Sequence, residues 1–444
     1  MTLELVSENY AEDRGARKPE FDPVYKLTPP IDLSISKSFT AGQPFDALKT
    51  MREEAPIMWH PMDKANMEGF WALTRYDDVR SVSLDNTKFS SQMGGILMSY
   101  YKSGDIRHHP KIHSASLDTM ICLDPPHHMQ LRREHMAYFT PGYVKELKIK
   151  VDRKVSDLLD KAQTKGPVID FVENFASQLP LFTLCEMLGV PESDRGKIRE
   201  WMEMLELAQY VLEDININTV DPAMVMQFMT SVQDMFEYGQ HILKEKRKNP
   251  KQHLLSAIAN VEINGAKLPD AYLDGSWLLI IIAGNDTTRN SLSGTMRLLH
   301  DFPDQKKQLL ANPGLIPNMV HEAVRMVSPV MYMRRTATQT CEIRGQKIAK
   351  GEKVLLYYGA ANRDPEIFKD PDSFDIHRPN AKDHIAFGTG SHVCLGQRVA
   401  NMQIEAAYSQ ILSRFPDICW TGEQTILPNG FTHSIGNLMV DLGL

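Results

Sequence analysis

With 444 residues, 42% of them hydrophobic, and 26 glycines and 26 prolines scattered rather than clustered, the chain can bury a large core and shows no linker, low-complexity tract or internal repeat. Its 49 Lys+Arg against 56 Asp+Glu give a net charge of −7, so neither a nucleic-acid footprint nor a polybasic membrane surface is indicated, and small molecules are the expected partners. Five cysteines (122, 185, 341, 394, 419) are odd in number and lack Cys-x-x-Cys spacing, which argues against a disulfide framework or a zinc site and for a reducing cytoplasm.

Residues 1–45, rich in proline and acidic side chains, are expected to form an irregular surface arm of a single 444-residue domain. Met1 to Arg14 holds Glu4, Glu8, Glu12 and Asp13 and no apolar run, so it reads as neither signal peptide nor membrane anchor. A helix is predicted over Phe45–Glu54, then a strand through Phe70-Trp71-Ala72-Leu73-Thr74, broken by Arg75-Tyr76-Asp77-Asp78. Residues 86–120 lack a period and read as a long loop, of the kind that usually carries function. Asp124-Pro125-Pro126 predicts a helix start with Asp124 as N-cap, closed by Thr140-Pro141, and His128 and Arg132 then share a face at i, i+4. Alone, two basic residues on an exposed helix need no function.

From 143 to 260 the pattern is helical, with breaks at Gly166-Pro167, Gly189-Val190-Pro191 and Asn249-Pro250. Methionines 202, 204, 224, 226, 229 and 235 crowd this part, either as core filler or as a flexible apolar lid. Trp277 to Ala283 is apolar on every side, which predicts a helix buried all round, yet the run is too short to span a bilayer. It leads into Ala283-Gly284-Asn285-Asp286-Thr287-Thr288, where a carboxylate and a hydroxyl enter an apolar helix at a cost unless satisfied. Thr287 could simply bond a carbonyl one turn back and bend the helix. Glu322 and Arg325 stand at i, i+3, a spacing without meaning by itself. Cys341-Glu342-Ile343 and Lys353 to Tyr358 flank Gly345 and Gly351 and predict a β-hairpin, with another at Leu427 to His433.

Cys394 lies in Phe387-Gly388-Thr389-Gly390-Ser391-His392-Val393-Cys394-Leu395-Gly396, just before a helical stripe at Ala400, Ile404, Ala407, Tyr408 and Ile411. A helix N-terminus favours thiolate, the form that ligates metal, and glycines 388, 390 and 396 let the backbone bend and approach a flat partner.

This string, with Ala400 six residues past the cysteine, resembles without a gap the haem-binding signature of cytochromes P450. The resemblance implies a mainly α fold with small β-sheets, a triangular helical prism that buries haem between a long central helix and the cysteine-loop helix. It also implies haem b with Cys394 as axial thiolate, whose electron donation favours O–O cleavage. His392 would reach a propionate, with Phe387, Gly388 and Gly396 around the sulfur. Asp-Pro-Pro-x-His-x-x-x-Arg carries His128 and Arg132 over to the propionates; Arg335, rather than Arg334, matches the remaining propionate arginine. Ala-Gly-x-Asp-Thr resembles the oxygen-activation motif, in which Ala283 and Gly284 leave room for dioxygen while Asp286 and Thr287 deliver protons. By the same resemblance Glu322 and Arg325 are locked by Arg378 in a buried network that holds the thiolate loop.

Phe70 to Tyr76, Gly284 to Ser291, Ile316 to Val320, Met333 to Ala337 and Gly359 to Asp364 look like bacterial alkane and fatty-acid terminal hydroxylases, soluble cytoplasmic proteins without a membrane anchor. The activity this implies is a monooxygenase that inserts one atom of dioxygen into an unactivated C–H bond, by terminal (omega) hydroxylation of n-alkanes or fatty acids. The alternative is hydroxylation of a terpenoid alcohol or steroid side chain; a peroxygenase, an isomerase or a haem sensor is a more distant reading. Pro428-Asn429-Gly430-Phe431 and Ala283 depart from the hydroxylase pattern and bear on the pocket walls. No flavin or iron–sulfur domain is recognisable, so electrons are expected from a separate ferredoxin and NAD(P)H-dependent reductase, docking near Cys394 with Arg133 and Arg398 as basic contacts.

Overall fold

A computed structural model of the chain describes residues 18–27, 31–62, 69–98, 110–214, 221–263 and 265–444. The first part runs α1 (Phe45–Glu54), β1 (Ile57–His60), β2 (Phe70–Leu73), α2 (Tyr76–Leu84), β3 (Phe89–Ser90), α3 (Pro110–Leu117), α4 (His127–His135), α5 (Pro141–Gln163) and β4 (Val168–Asp170). Next come α6 (Gln178–Leu188), α7 (Arg195–Asp214), α8 (Pro222–Lys248), α9 (Leu254–Asn260), the strands β5 (Glu262–Ile263) and β6 (Ala266–Lys267), α10 (Asp270–Ala283), α11 (Asp286–Asp301), α12 (Pro303–Ala311) and α13 (Ile316–Val327). The last part holds β7 (Tyr332–Ala337), β8 (Cys341–Ile343), β9 (Gln346–Ile348), β10 (Lys353–Tyr357), α14 (Tyr358–Ala361), α15 (Gln397–Arg414), β11 (Cys419–Leu427) and β12 (Ser434–Asp441). The architecture is mainly helical with small sheets, as expected.

Helical spacing builds the larger core. On α5 the buried residues Val144, Leu147, Val151, Val155, Leu158 and Ala162 form one stripe, and α15 packs against that helix with Ile404, Ala407, Tyr408 and Ile411 buried. Each such aliphatic side chain contributes about 1.5–3 kcal/mol on burial. Tyr408 Oη donates to Leu292 O at 2.6 Å, which ties α15 to α11. The main sheet has the order β1-β2-β10-β7-β3, with β2 and β10 parallel. Both of its faces are covered. Trp71, Leu73, Val354 and Leu356 enter one cluster and Phe70, Ala72, Leu355 and Tyr357 another, the alternation of a pleated strand.

Several expectations are corrected. Residues 86–120 are not all loop: β3 and α3 lie there, although 99–109 fall outside the described residues. Asp124 does not cap α4. Its carboxylate instead accepts from Ser90 Oγ and, at 2.9 Å, from Ser91 N–H, so a tertiary contact takes the oxygen that a cap would use. Thr140 opens α5, its Oγ1 accepting from Tyr143 N–H at 3.4 Å, and α4 has already ended at His135. β8 pairs with β9 through a tight turn at Arg344 and Gly345 (φ +47° and +80°), while β10 pairs with β7 and β2, so the predicted β8–β10 hairpin is absent. The tail hairpin is present: Leu427 ends β11, Ser434 opens β12 opposite it, and the residues between them form the tip, with the two strands extending further than the segment itself. In the arm, Leu33 and Phe39 are buried against the sheet cluster, so it does not lie wholly on the surface. The methionines do not act as one group: Met202 and Met235 are core, Met224 and Met226 exposed. No described helix is long and apolar enough to cross a membrane.

Candidate active site

The cysteine loop is shaped by its own backbone. Gly388 and Gly390 adopt φ +70° and +74°, a region side chains disfavour, and Cys394 N–H donates to Phe387 O at 2.8 Å to close the loop. The backbone N–H groups of Gly396 and Gln397 then point at the Cys394 sulfur, as the start of α15 leads one to expect. Burial nevertheless pushes the thiol pKa up, and these N–H groups with the Arg132 guanidinium offset only part of it. The expected preference for thiolate therefore does not come from the helix end alone. The side chain is accessible to water even though the loop and the start of α15 crowd its sulfur. A Cβ added at Gly396 would stand 3.9 Å from this sulfur, so glycine keeps the space beside it clear.

Four basic side chains gather beside the loop. The rings of His128 on α4 and His392 in the loop lie 4.0 Å apart, and His392 Nε2 is 3.4 Å from Ser91 Oγ. Burial, then Arg132 and Arg335, lowers the His128 pKa to about 4; burial, then Arg335, His128 and Arg132, lowers that of His392 to about 2. Adjacent residues of a strand face opposite ways, so Arg335 turns toward these histidines while Arg334 is buried toward Leu97 O and Thr336 Oγ1. His128 Nδ1 is buried with no hydrogen-bond partner among the described residues. At neutral pH both imidazoles are therefore uncharged beside two guanidinium groups, and an anion bound there gains from the guanidinium charges.

The expected long central helix is interrupted. Gly284 caps α10, Asn285 leaves helical geometry (φ −120°, ψ −60°), and α11 restarts at Asp286. A Cβ at Gly284 would come within 2.8 Å of Leu184 Cδ1, so close packing of α6 also requires glycine there. Nor is the apolar run buried all round, since Leu279, Ile280, Ile282 and Ala283 are partly or fully accessible, as are Asp286 and Thr287 after it. Leu279, Ile282 and Ala283 share one face of α10, and Asp286 and Thr287 open α11 just past the break. Thr287 Oγ1 lies 3.5 Å from Ala283 O, a weak bond that leaves the hydroxyl available. Burial pushes the Asp286 carboxyl well above its ordinary value; Arg289 works against the shift and Glu206 with it.

A profile of the cytochrome P450 family matches residues 308–432. The chain is 33% identical over 433 residues to a methyl-branched lipid omega-hydroxylase of Mycobacterium tuberculosis, covering 93% of this chain and 96% of that protein. It is 32% identical to linalool 8-monooxygenase of Pseudomonas putida (93% and 98% covered) and 30% identical to a steroid C26-monooxygenase of Mycobacterium bovis (94% of each). Among solved structures it superposes on the Mycobacterium marinum cytochrome P450 CYP268A2 in complex with pseudoionone, with a TM-score of 0.81 and 32% identity, over 91% of this chain and 96% of that one. The chain belongs to the cytochrome P450 family. Its fold is the P450 fold, it is a monooxygenase, and the cofactor is haem with cysteine-thiolate ligation.

The residues of this P450 fit that group. A soft sulfur donor, a glycine that keeps the adjoining space open, and four basic side chains with an orphaned imidazole nitrogen suit an iron porphyrin carrying two carboxylates. Behind the loop, the Glu322 carboxylate accepts from Arg325 Nε (2.7 Å) and Nη2 (2.8 Å), Arg378 Nε (2.9 Å) and Asp375 N–H (3.1 Å), all deeply buried on the side-chain side. Arg325 Nη1 continues to Asn362 O at 2.7 Å, and Asn362 Oδ1 accepts from Ile385 N–H at 2.8 Å, next to the cysteine loop. Asn362 is a link that the sequence reading missed, although an asparagine ending the apolar run Leu355 to Ala361 was a signal for it. Arg289 was missed too; it stands one helical turn after Asp286.

Proposed function

We propose that Cys394 is the axial ligand of haem b, with its propionates on His128, Arg132, Arg335 and His392, and that this single-domain P450 hydroxylates the terminal (omega) carbon of an n-alkane or fatty acid. The observation that carries the reading is the water-accessible Cys394 sulfur at the start of α15, met by two backbone N–H groups and flanked by Arg132. Bound haem supplies the reductive activation of dioxygen and the transfer of one oxygen atom to carbon.

The chain's residues supply everything else. Leu279, Ile282 and Ala283 offer an apolar wall that holds a hydrocarbon chain and excludes water, at about 25 cal/mol per Å² buried. Asp286 holds a proton and the Thr287 hydroxyl carries it onward to dioxygen. Glu322, Arg325 and Arg378 brace the loop. Exposed Arg133 and Arg398, with Met129 and Met136 exposed beside Arg133 on the same short segment, suit a weakly bound acidic ferredoxin, itself served by an NAD(P)H-dependent reductase. The alkane and fatty-acid class is supported by the strings at 70–76, 284–291 and 359–364, and the omega-hydroxylase relative acts at the same end of a chain. A second reading, a terpenoid alcohol or steroid side chain, is favoured by the linalool and steroid relatives, whose identity is nearly as high.

Titration of the purified ferric protein with alkanes, fatty acids, terpenoid alcohols and sterols should give a low-to-high spin absorption change with the first two. A change with terpenoids or sterols alone would transfer the assignment to the second reading. Thr287→Ala should cut product-forming turnover on the order of a hundredfold while oxygen is still consumed and hydrogen peroxide appears. Unchanged coupling would point instead to a peroxygenase.

A further inference from the structure

Beside the oxygen-side acid, one guanidinium serves two carboxylates. Arg289 Nη1 donates to Glu206 Oε2 at 2.9 Å and Nη2 to Glu206 Oε1, a forked pair in which both side chains are under 10% exposed. The same Nη1 lies 3.7 Å from Asp286 Oδ1, inside ion-pair range but beyond a hydrogen bond. Among the described residues Asp286 has a single donor, Asn285 Nδ2 at 3.3 Å, while Arg289 Nε and Asn285 Oδ1 are buried without a partner there. Glu206 reaches this spot from α7, a different element from the one that carries both Arg289 and Asp286.

We propose that Glu206 is a positioning residue for Asp286: by engaging both terminal nitrogens of Arg289 it keeps that arginine from closing a full ion pair with Asp286, which can then hold a transferable proton. The physical reason is competition. A carboxylate that is only 19% exposed and has one neutral donor is costly as an anion, so it takes a proton from water, whereas a carboxylate joined to a guanidinium gives its proton up. Were Glu206 neutral, Arg289 would need to move only a few tenths of an ångström to bond Asp286, and the acid would stay ionised. The other charged group facing Arg289 is Glu203, exposed on α7 and 3.6 Å from Arg199. From α6 the neighbour of this segment is apolar Leu184.

The inference rests on Asp286 being the proton donor of the proposed monooxygenase, and the test reads protonation directly. Infrared difference spectra of the holoprotein, titrated with pH, should show the carbonyl band of a protonated acid that is absent in Asp286→Asn. In Glu206→Gln the midpoint of that band should fall by about 1–3 pH units. Glu206→Asp should restore it, Arg289→Gln should raise it, and Glu203→Gln should leave it in place. A midpoint unmoved in Glu206→Gln, or moved equally by Glu203→Gln, overturns the proposal; should Glu206→Gln not fold, a fall rather than a rise in Arg289→Gln does the same. Failure of the haem-thiolate reading would appear separately, as loss of the thiolate absorption band in the wild-type carbon-monoxide complex.

Discussion

Cys394→Ser is expected to abolish the absorption band that marks thiolate ligation in the reduced carbon-monoxide complex, and monooxygenation with it. A serine hydroxyl is a hard, weakly acidic donor that stays protonated and cannot stand in for a soft thiolate. The loop should survive, because it is closed by backbone groups, Cys394 N–H to Phe387 O, and shaped by Gly388 and Gly390. Circular dichroism should therefore show unchanged helicity. Neither buried thiol can take its place in the loop, since Cys122 lies in the turn ahead of α4 and Cys185 in the core on α6. A thiolate band persisting in Cys394→Ser would reject the assignment of the ligand.

Glu322→Gln should produce the largest loss of stability. The carboxylate faces two guanidinium groups, of which Arg325 is fully buried and Arg378 is 4% exposed, and a neutral amide leaves them without a counter-charge. Breaking a buried pair costs about 3–5 kcal/mol, set against a typical total of about 5–15 kcal/mol. Arg325 keeps the carbonyls of Asn362 and Pro371, and Arg378 those of Lys369 and Asp370, so the lower end of that range is expected. Urea unfolding followed by the haem absorption checks it. A change under about 1 kcal/mol would make the network dispensable. Asp152→Asn, which breaks a largely exposed i, i+4 pair with Lys148, should stay within about 0.5 kcal/mol and serves as a comparison.

Features readable from the chain alone were those written in contiguous residues. The Cys394 string closes on itself within eight residues, and the helices of 143–260 carry their own stripes and breaks: Gly189 ends α6 at φ +68°, and Asn249 ends α8. Where a residue had a local and a distant partner to choose from, the local guess failed. Asp124 could cap α4 but bonds Ser90 and Ser91, some thirty residues earlier, because that contact satisfies two donors at once. β10 could fold back on β8, yet it sits between β2 and β7, where both of its faces are buried.

The sequence by itself determined the class of protein, through contiguous strings that resemble those of cytochromes P450, and it named Cys394, the candidate propionate residues and the Asp286–Thr287 pair as proposals, because each string spans only a few residues. Tertiary structure alone decided that α10 breaks at Gly284, that apolar residues before Asp286 stay accessible, and that Asn362 and Glu206 reach the site from 23 and 83 residues away in the chain. Desolvation and charge pairing depend on which groups meet in space, and that is settled only once the helices have packed.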